Sequence, residues 1–279
     1  MNSQLRSCFT KEGLAFTRTK RLTILVLIVF GWAILGPLLI RGLGVLMDSM
    51  GQIYDELGMD ITGMTDLLAA NVSTGVVSAM SDLTTTGLIA FLILMNSFAG
   101  GEQKKRSIMI PKTAGLRNFP YLFPKYIIFP LTALVLAIIA GFIAWGISYL
   151  VFDFNDVSAS NVLLGGTLAG VSIMFYITIH LTLGTATGKA GMSSAVIIIA
   201  SLLLPNLFAA MGSELIYNPF TLNMIAASII PDINAGFFTA NEIIMTVVIT
   251  FAIMIVLFFI ALFAQNAKRI DNRGNEIKL

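Results

Sequence analysis

One cysteine and one histidine in 279 residues leave this chain without most of the chemistry that side chains perform. Cys8 has no second cysteine to pair with, so an internal disulfide is ruled out, and a cysteine-based metal cluster is disfavoured with it. His180 has no second imidazole and no H-E-x-x-H motif exists, which removes the ligand set of an intramembrane metalloprotease. Charge is equally scarce, at 11% of residues against 57% hydrophobic, with a mean hydropathy of +0.88. A soluble domain could not cover itself with so little polar surface, so the solvent of this chain is largely lipid and the protein is polytopic. The net charge of +2 is spread over separate clusters next to apolar runs, which gives no nucleic-acid surface.

A helix needs about 20 apolar residues to cross the hydrocarbon core. Six segments meet that length: Leu22 to Ile40, Leu83 to Ala99, Tyr126 to Val151, Val162 to Thr185, Met192 to Met211, and Ile243 to Phe263. The expected fold is therefore an all-α polytopic membrane protein, with residues 1–279 forming a single transmembrane domain. On these boundaries no Asp or Glu lies inside a span, which argues against a proton- or ion-driven transporter with buried carboxylates.

Of the 17 Lys and Arg residues, only Arg41 falls in a loop of the opposite side. The others precede the first span (Arg6, Lys11, Arg18, Lys20, Arg21) or follow the second (Lys104, Lys105, Arg106, Lys112, Arg117, Lys125). The rest are Lys189 between the fourth and fifth spans and Lys268, Arg269, Arg273 and Lys278 in the tail. Basic residues near span ends face the cytoplasm, so both termini are expected there, in a cell membrane.

Four connecting regions carry structure of their own. Residues 1–20 alternate Leu5, Cys8, Phe9, Leu14, Ala15 and Phe16 with basic residues, as a cytoplasmic amphipathic helix in the headgroup plane does; a disordered basic tail is the alternative. The acidic connection 41–82 is too long for a turn and reads as a helical external loop. Residues 212–242 stay apolar but are broken by Asn218, Pro219, Pro231, Asp232, Asn234 and Gly236. Irregular backbone at membrane depth is tolerated only against protein or water, so a broken, re-entrant-like external segment of short helices is expected, rather than a seventh span. Residues 264–279 form a cytoplasmic tail.

The run from Gly184 to Ala190 looks like a phosphate loop, but it is one residue short between its glycines, lacks Ser or Thr after Lys189, and follows a hydrophobic helix. It reads as a tight turn, and no cofactor is expected in this chain. His180, with Thr178 and Thr182 nearby, reads either as a neutral imidazole satisfied by a hydroxyl or carbonyl, or as a path or switch residue. Gly166 with Gly170 and Gly184 with Gly188 have the spacing that lets helices approach closely.

The cytoplasmic loop 100–125 sets charged ends around an apolar, aromatic middle: Ile108, Met109, Ile110, Leu116, Phe119, Tyr121, Leu122 and Phe123. Apolar groups rimmed by charge mark a protein contact; a loop lying on lipid through its bases is the alternative. Glu102 after the second span, a short apolar segment from Ile108 closing on Pro111, and Lys125 opening the third span resemble the permease subunits of type-2 ATP-binding-cassette exporters. The six spans, cytoplasmic amphipathic helix and broken segment before the sixth span fit the same pattern. The acidic first external loop is larger than in many compact relatives.

The resemblance implies a subunit that works with a second permease copy, identical or homologous, and docks a separate ATP-binding-cassette ATPase that holds ATP and Mg. Spans one, two and five would line the seam. The docking residues would be Glu102, Lys104, Lys105, Arg106, Ile108, Ile110, Pro111, Leu116 and Arg117, and the cargo amphipathic or hydrophobic: a peptide, an antimicrobial or a lipid-like molecule. Membrane lipids are the other partner. A membrane scaffold or sensor recruiting a cytosolic protein through the same loop is the competing class.

Overall fold

The computed structural model describes residues 3–56, 71–102, 109–152, 157–211, 217–231, 238–270 and 276–278. Among them, six helices are long and apolar enough to cross a membrane. A first helix, α1 (Ser3–Arg18), precedes them. The membrane-length helices are α2 (Arg21–Glu56), α3 (Val72–Gly101), α5 (Asn118–Val151), α6 (Ala159–Thr187), α7 (Ala190–Ala210) and α9 (Ala240–Asn266). A single turn, α4 (Met109–Thr113), lies between α3 and α5. A short apolar helix, α8 (Leu222–Ile229), follows the 3₁₀ turn Pro219–Thr221. The chain ends in a small antiparallel pair, β1 (Lys268–Ile270) with β2 (Glu276–Lys278).

Helix ends follow local chemistry. Asn71 caps α3 and Thr239 caps α9, each in a capping box, with Thr74 and Glu242 respectively reaching back, so the first free N–H groups are satisfied by side chains. Ser158 accepts from the Asn161 amide at the start of α6. At its far end Gly188 turns left-handed (φ 69°) and donates to the Gly184 carbonyl, a conformation that costs glycine nothing. The motif from Gly184 to Ala190 is thus a helix end and a tight turn.

Two boundaries differ from the hydropathy reading. Helix α3 begins at Val72, eleven residues before the apolar run at Leu83, because Val72–Asp82 is rich in Ser, Thr, Gly and Ala yet packs as continuous helix. Asp82 therefore lies inside a membrane-length helix, which corrects the expectation that no span holds an acid. Helix α5 begins at Asn118, so Phe119 to Lys125 belong to it rather than to a loop. Of the segment 212–242 expected to be external, Pro219–Ile229 is helical and packed, while 212–216 and 232–237 lie outside the described residues.

Lipid tails are as apolar as leucine, so close packing rather than hydrophobicity holds such a bundle together. Helix α6 is its axis, with 78% of its apolar window buried against 17% for α9 and 22% for α7. Small residues set the spacing. A Cβ on Gly36 of α2 would sit 2.8 Å from the Ala79 Cα of α3, and one on Gly170 of α6 would sit 3.0 Å from the Leu134 Cα of α5. The tightest approach joins α6 to α3, where a Cβ on Gly184 would fall 1.8 Å from the Ala99 carbonyl oxygen. One continuous core runs from Phe16 through α2, α3, α5 and α6 to Ile243.

Candidate functional site: an ionic knot at the basic end

Helix α3 does not end as an ordinary helix. It contains two wide π turns, Leu83–Gly87 and Ser97–Gly101, and Gly100 takes φ 148°, open to glycine but strained for other residues. This unwinding brings Glu102 round to face Lys125, one full turn or more inside α5, and the pair closes at 2.5 Å. Lys125 is 1% exposed, and its three ammonium protons have three acceptors: Glu102 Oε2, the Tyr121 hydroxyl at 3.0 Å and the Phe98 carbonyl at 3.2 Å. Tyr121 in turn donates its hydroxyl proton to Glu102 Oε2 at 2.7 Å. A buried ammonium ion is tolerable only with such complete pairing.

Helix α1 adds the other half of the knot. Its inward stripe is Cys8, Glu12 and Phe16, spaced by four residues. Phe16 stacks edge-on against Phe129 of α5, with ring centroids 5.3 Å apart, next to Phe98 of α3. Glu12, also 1% exposed, lies 3.8 Å from Lys125 and 3.3 Å from Lys11, while Lys11 bridges on to Glu102 at 2.7 Å. Arg21, at the start of α2, bonds the Ser97 hydroxyl and lies over the Phe98 ring at 4.8 Å. Four helices are tied at one point.

The electrostatics are uneven. Burial opposes ionisation of Glu102, but the Lys125 charge and hydrogen bonds from Lys11, Lys125 and Tyr121 overcome it and hold the pKa down to about 2. Glu12 goes the other way, because burial and the nearby Glu102 outweigh its two lysines and raise it above the usual carboxylate range. Its Oε2 has no hydrogen-bond partner. Lys11 is held above its ordinary value, the pull of Glu12 and Glu102 exceeding its own burial cost.

Beside the knot, a cavity of about 420 Å³ opens between α1, α4 and the start of α5, lined by Gln4, Cys8, Lys11, Pro111, Leu116 and Tyr121 among others. Of the residues expected to dock a partner, Glu102 is in the knot, Pro111 and Leu116 line this cavity, and Arg117 is the extended N-cap of α5. Ile110 falls in the backbone of α4. Lys104, Lys105, Arg106 and Ile108 lie outside the described residues.

The aromatic half of the expected docking loop is used within the chain. Tyr121 and Leu122 are 5% and 1% exposed and pack on Ala261 of α9. Phe119 and Phe123 stack on each other at 5.1 Å and meet Phe258 of α9 edge-on, and Asn118 donates to the Gln265 carbonyl and the Asn266 side chain. Sequence reading missed Glu12, although a signal was present: Glu12 and Glu102 are the acids among the basic clusters that precede the tail.

His180 is 0% exposed, and its partner is not a neighbouring threonine but Ser193 of α7, 3.0 Å from Nδ1. Thr178 and Thr182 bond backbone carbonyls one turn earlier, and Thr182 also meets Tyr126. Among the described residues no group of His, Cys, Asp and Glu is arranged to hold a metal ion. No family model matches this chain, and neither a curated protein nor a solved structure matches it.

Proposed function

We propose that this chain is the transmembrane subunit of an ATP-driven exporter of the type-2 ATP-binding-cassette kind, paired with a second permease copy and driven by a separate ATPase that binds ATP and Mg. The observation that carries this reading is the buried Glu102–Lys125 pair, which fastens both ends of the 102–117 stretch to rigid helices. A partner pressing on that stretch would move α3 and α5 together, and α1 with them through Glu12 and Lys11. Coupling of this kind needs an element with two arrangements that the partner biases; the wide turn at Ser97–Gly101 supplies the compliance.

The basic end faces the cytoplasm of a cell membrane in this reading, by the distribution of Lys and Arg. The second copy would cover α2, α3 and α7; α2 and α7 keep Leu35, Leu39, Leu203 and Leu207 exposed. Among the described residues the buried ion pairs sit together at the basic end, and a core that is otherwise apolar or neutral suits an amphipathic or hydrophobic cargo, such as a peptide, an antimicrobial or a lipid-like molecule.

Tagged chain purified from its native membrane in mild detergent tests the reading through what accompanies it and whether that assembly hydrolyses nucleotide. A stoichiometric ATPase whose association fails when Lys104, Lys105 and Arg106 are reversed in charge is the expected result. A partner without ATPase activity would instead install the scaffold reading.

A further inference from the structure

Buried polar atoms without partners are rare in folded proteins, and each asks for an explanation. Three side chains of α6 carry such atoms at four-residue spacing: Ser172 Oγ, Tyr176 Oη and His180 Nε2, on residues 1%, 4% and 0% exposed. At about 100° per residue, Ser172 and Tyr176 lie within about 20° on either side of Gly165, and His180 about 60° round. Gly165 faces α8, since a Cβ there would meet Ile230 at 2.5 Å and the Ala226 carbonyl at 3.3 Å. The opposite end of the α8 segment meets α6 through Phe220, whose ring is 5.9 Å from Tyr176. Helix α8 thus runs antiparallel along this stripe.

On α8, Asn223 shares the stripe of Ala226 and Ile230, three and seven residues on, so it is carried onto α6 at the level of Ser172. Its Oδ1 is a fourth buried atom without a partner. The tautomer of His180 follows from its neighbour. Ser193 gives its one proton to the His180 carbonyl, so Nδ1 donates to Ser193 Oγ and Nε2 is left as a bare acceptor. The Asn223 oxygen and the Ser172 and Tyr176 hydroxyls, none of them charged, lie along the α6–α8 interface, while His180 Nε2 lies one turn further along α6, where the ring meets α7.

We propose that the α6–α8 interface is a hydrated polar site inside the membrane-length bundle, lined by Ser172, Tyr176 and Asn223 and occupied by water. Water has both the donor that Asn223 Oδ1 requires and the acceptor that the hydroxyls require. A site without ionised side chains takes neutral hydrogen-bonding groups rather than ions. On the export reading above, it is also where the amide or hydroxyl of an amphipathic cargo would exchange water for protein.

The test is thiol accessibility in the isolated chain in lipid nanodiscs, with Cys8→Ser as background. Ser172→Cys is treated with hydroxyethyl methanethiosulfonate, a small neutral thiol reagent that reacts from water. Labelling at least about ten-fold faster than at Ile177→Cys is expected, Ile177 being equally buried but on the face of α6 toward α5. Labelling of Ser172→Cys at the Ile177→Cys rate overturns the site. Tyr176→Phe reads the same question without a probe: a lower thermal midpoint supports a hydrated hydroxyl, and a raised one, as for removal of an orphaned polar group, overturns it. Neither readout depends on an ATPase partner, so failure here leaves the export reading standing.

Discussion

At the basic end, three of the four carboxylate oxygens of Glu12 and Glu102 meet a cation within 4 Å, whereas along α6 and α8 four buried polar atoms have no protein partner. The first region buries charge and pairs it. The second buries neutral dipoles and leaves them open. Pairing makes the knot stiff and intolerant of change, as a joint between α1, α3 and α5 needs to be. Open dipoles make the α6–α8 interface receptive, since a group that already has its partner has nothing to offer a ligand.

The largest effect should come from Lys125→Met, which strands Glu102 and Glu12 beside each other in a buried place. A loss of about 3–5 kcal/mol is expected from breaking one side of a buried pair, measured by denaturant or thermal unfolding in detergent. A loss below about 1 kcal/mol would mean that the knot is an ordinary surface bridge, and the contrast with α6 would collapse. Next in size is Gly184→Ala, whose new methyl would overlap the Ala99 carbonyl; a cost of about 1–3 kcal/mol or more follows from forced displacement. Gly191→Ala, with nothing within 4 Å, should stay within about 0.5 kcal/mol.

The two carboxylates separate by pH. Glu102, lowered from 4.5 to about 2, contributes stability that is present above pH 4.5 and lost as pH falls toward its folded value. Glu12, raised from 4.5, opposes the fold once it ionises, so its cost appears as pH rises through and above 4.5. Glu12→Gln should therefore stabilise the protein by on the order of 1 kcal/mol at pH 7 and by nothing at pH 4. Equal effects at both pH values would show that Glu12 acts through shape alone. Thr239→Ala, which removes the α9 cap, should likewise cost about 1 kcal/mol, but equally at both pH values, a baseline for a change at a helix end.

Hydropathy alone located all six membrane-length helices, because a lipid solvent leaves long apolar runs no other use. It failed where helices contact protein instead. Val72–Asp82 packs on α2 and α5 through Gly75, Val76 and Ala79, so it needs small residues rather than strongly apolar ones. Glu12 was hidden because its neighbours Cys8 and Phe16 are apolar; only the three-dimensional stripe explains an acid among them. Glu102 and Lys125 stood out in the sequence as charged flanks of the 100–125 loop, though not as a pair, while Tyr121 and Leu122, read as part of a contact surface, are buried where α5 meets α9. The hydroxyls of α6 gave no signal, since Ser and Tyr in a span ordinarily satisfy themselves on backbone or neighbouring helices.

The wide turns of α3 carry a consequence for how the chain tolerates changes in length. The i→i+5 closure at Leu83–Gly87 holds one residue more than an α turn would, so a single-codon deletion there can be absorbed by the turn reverting to α, with the flanking faces keeping their aim. In α6, which has no such slack, a one-residue deletion would turn everything beyond it through about 100° and point Gly184 away from Ala99. The Leu83–Gly87 turn of α3 is thus a place in the bundle where one residue can be lost without dislodging Glu102.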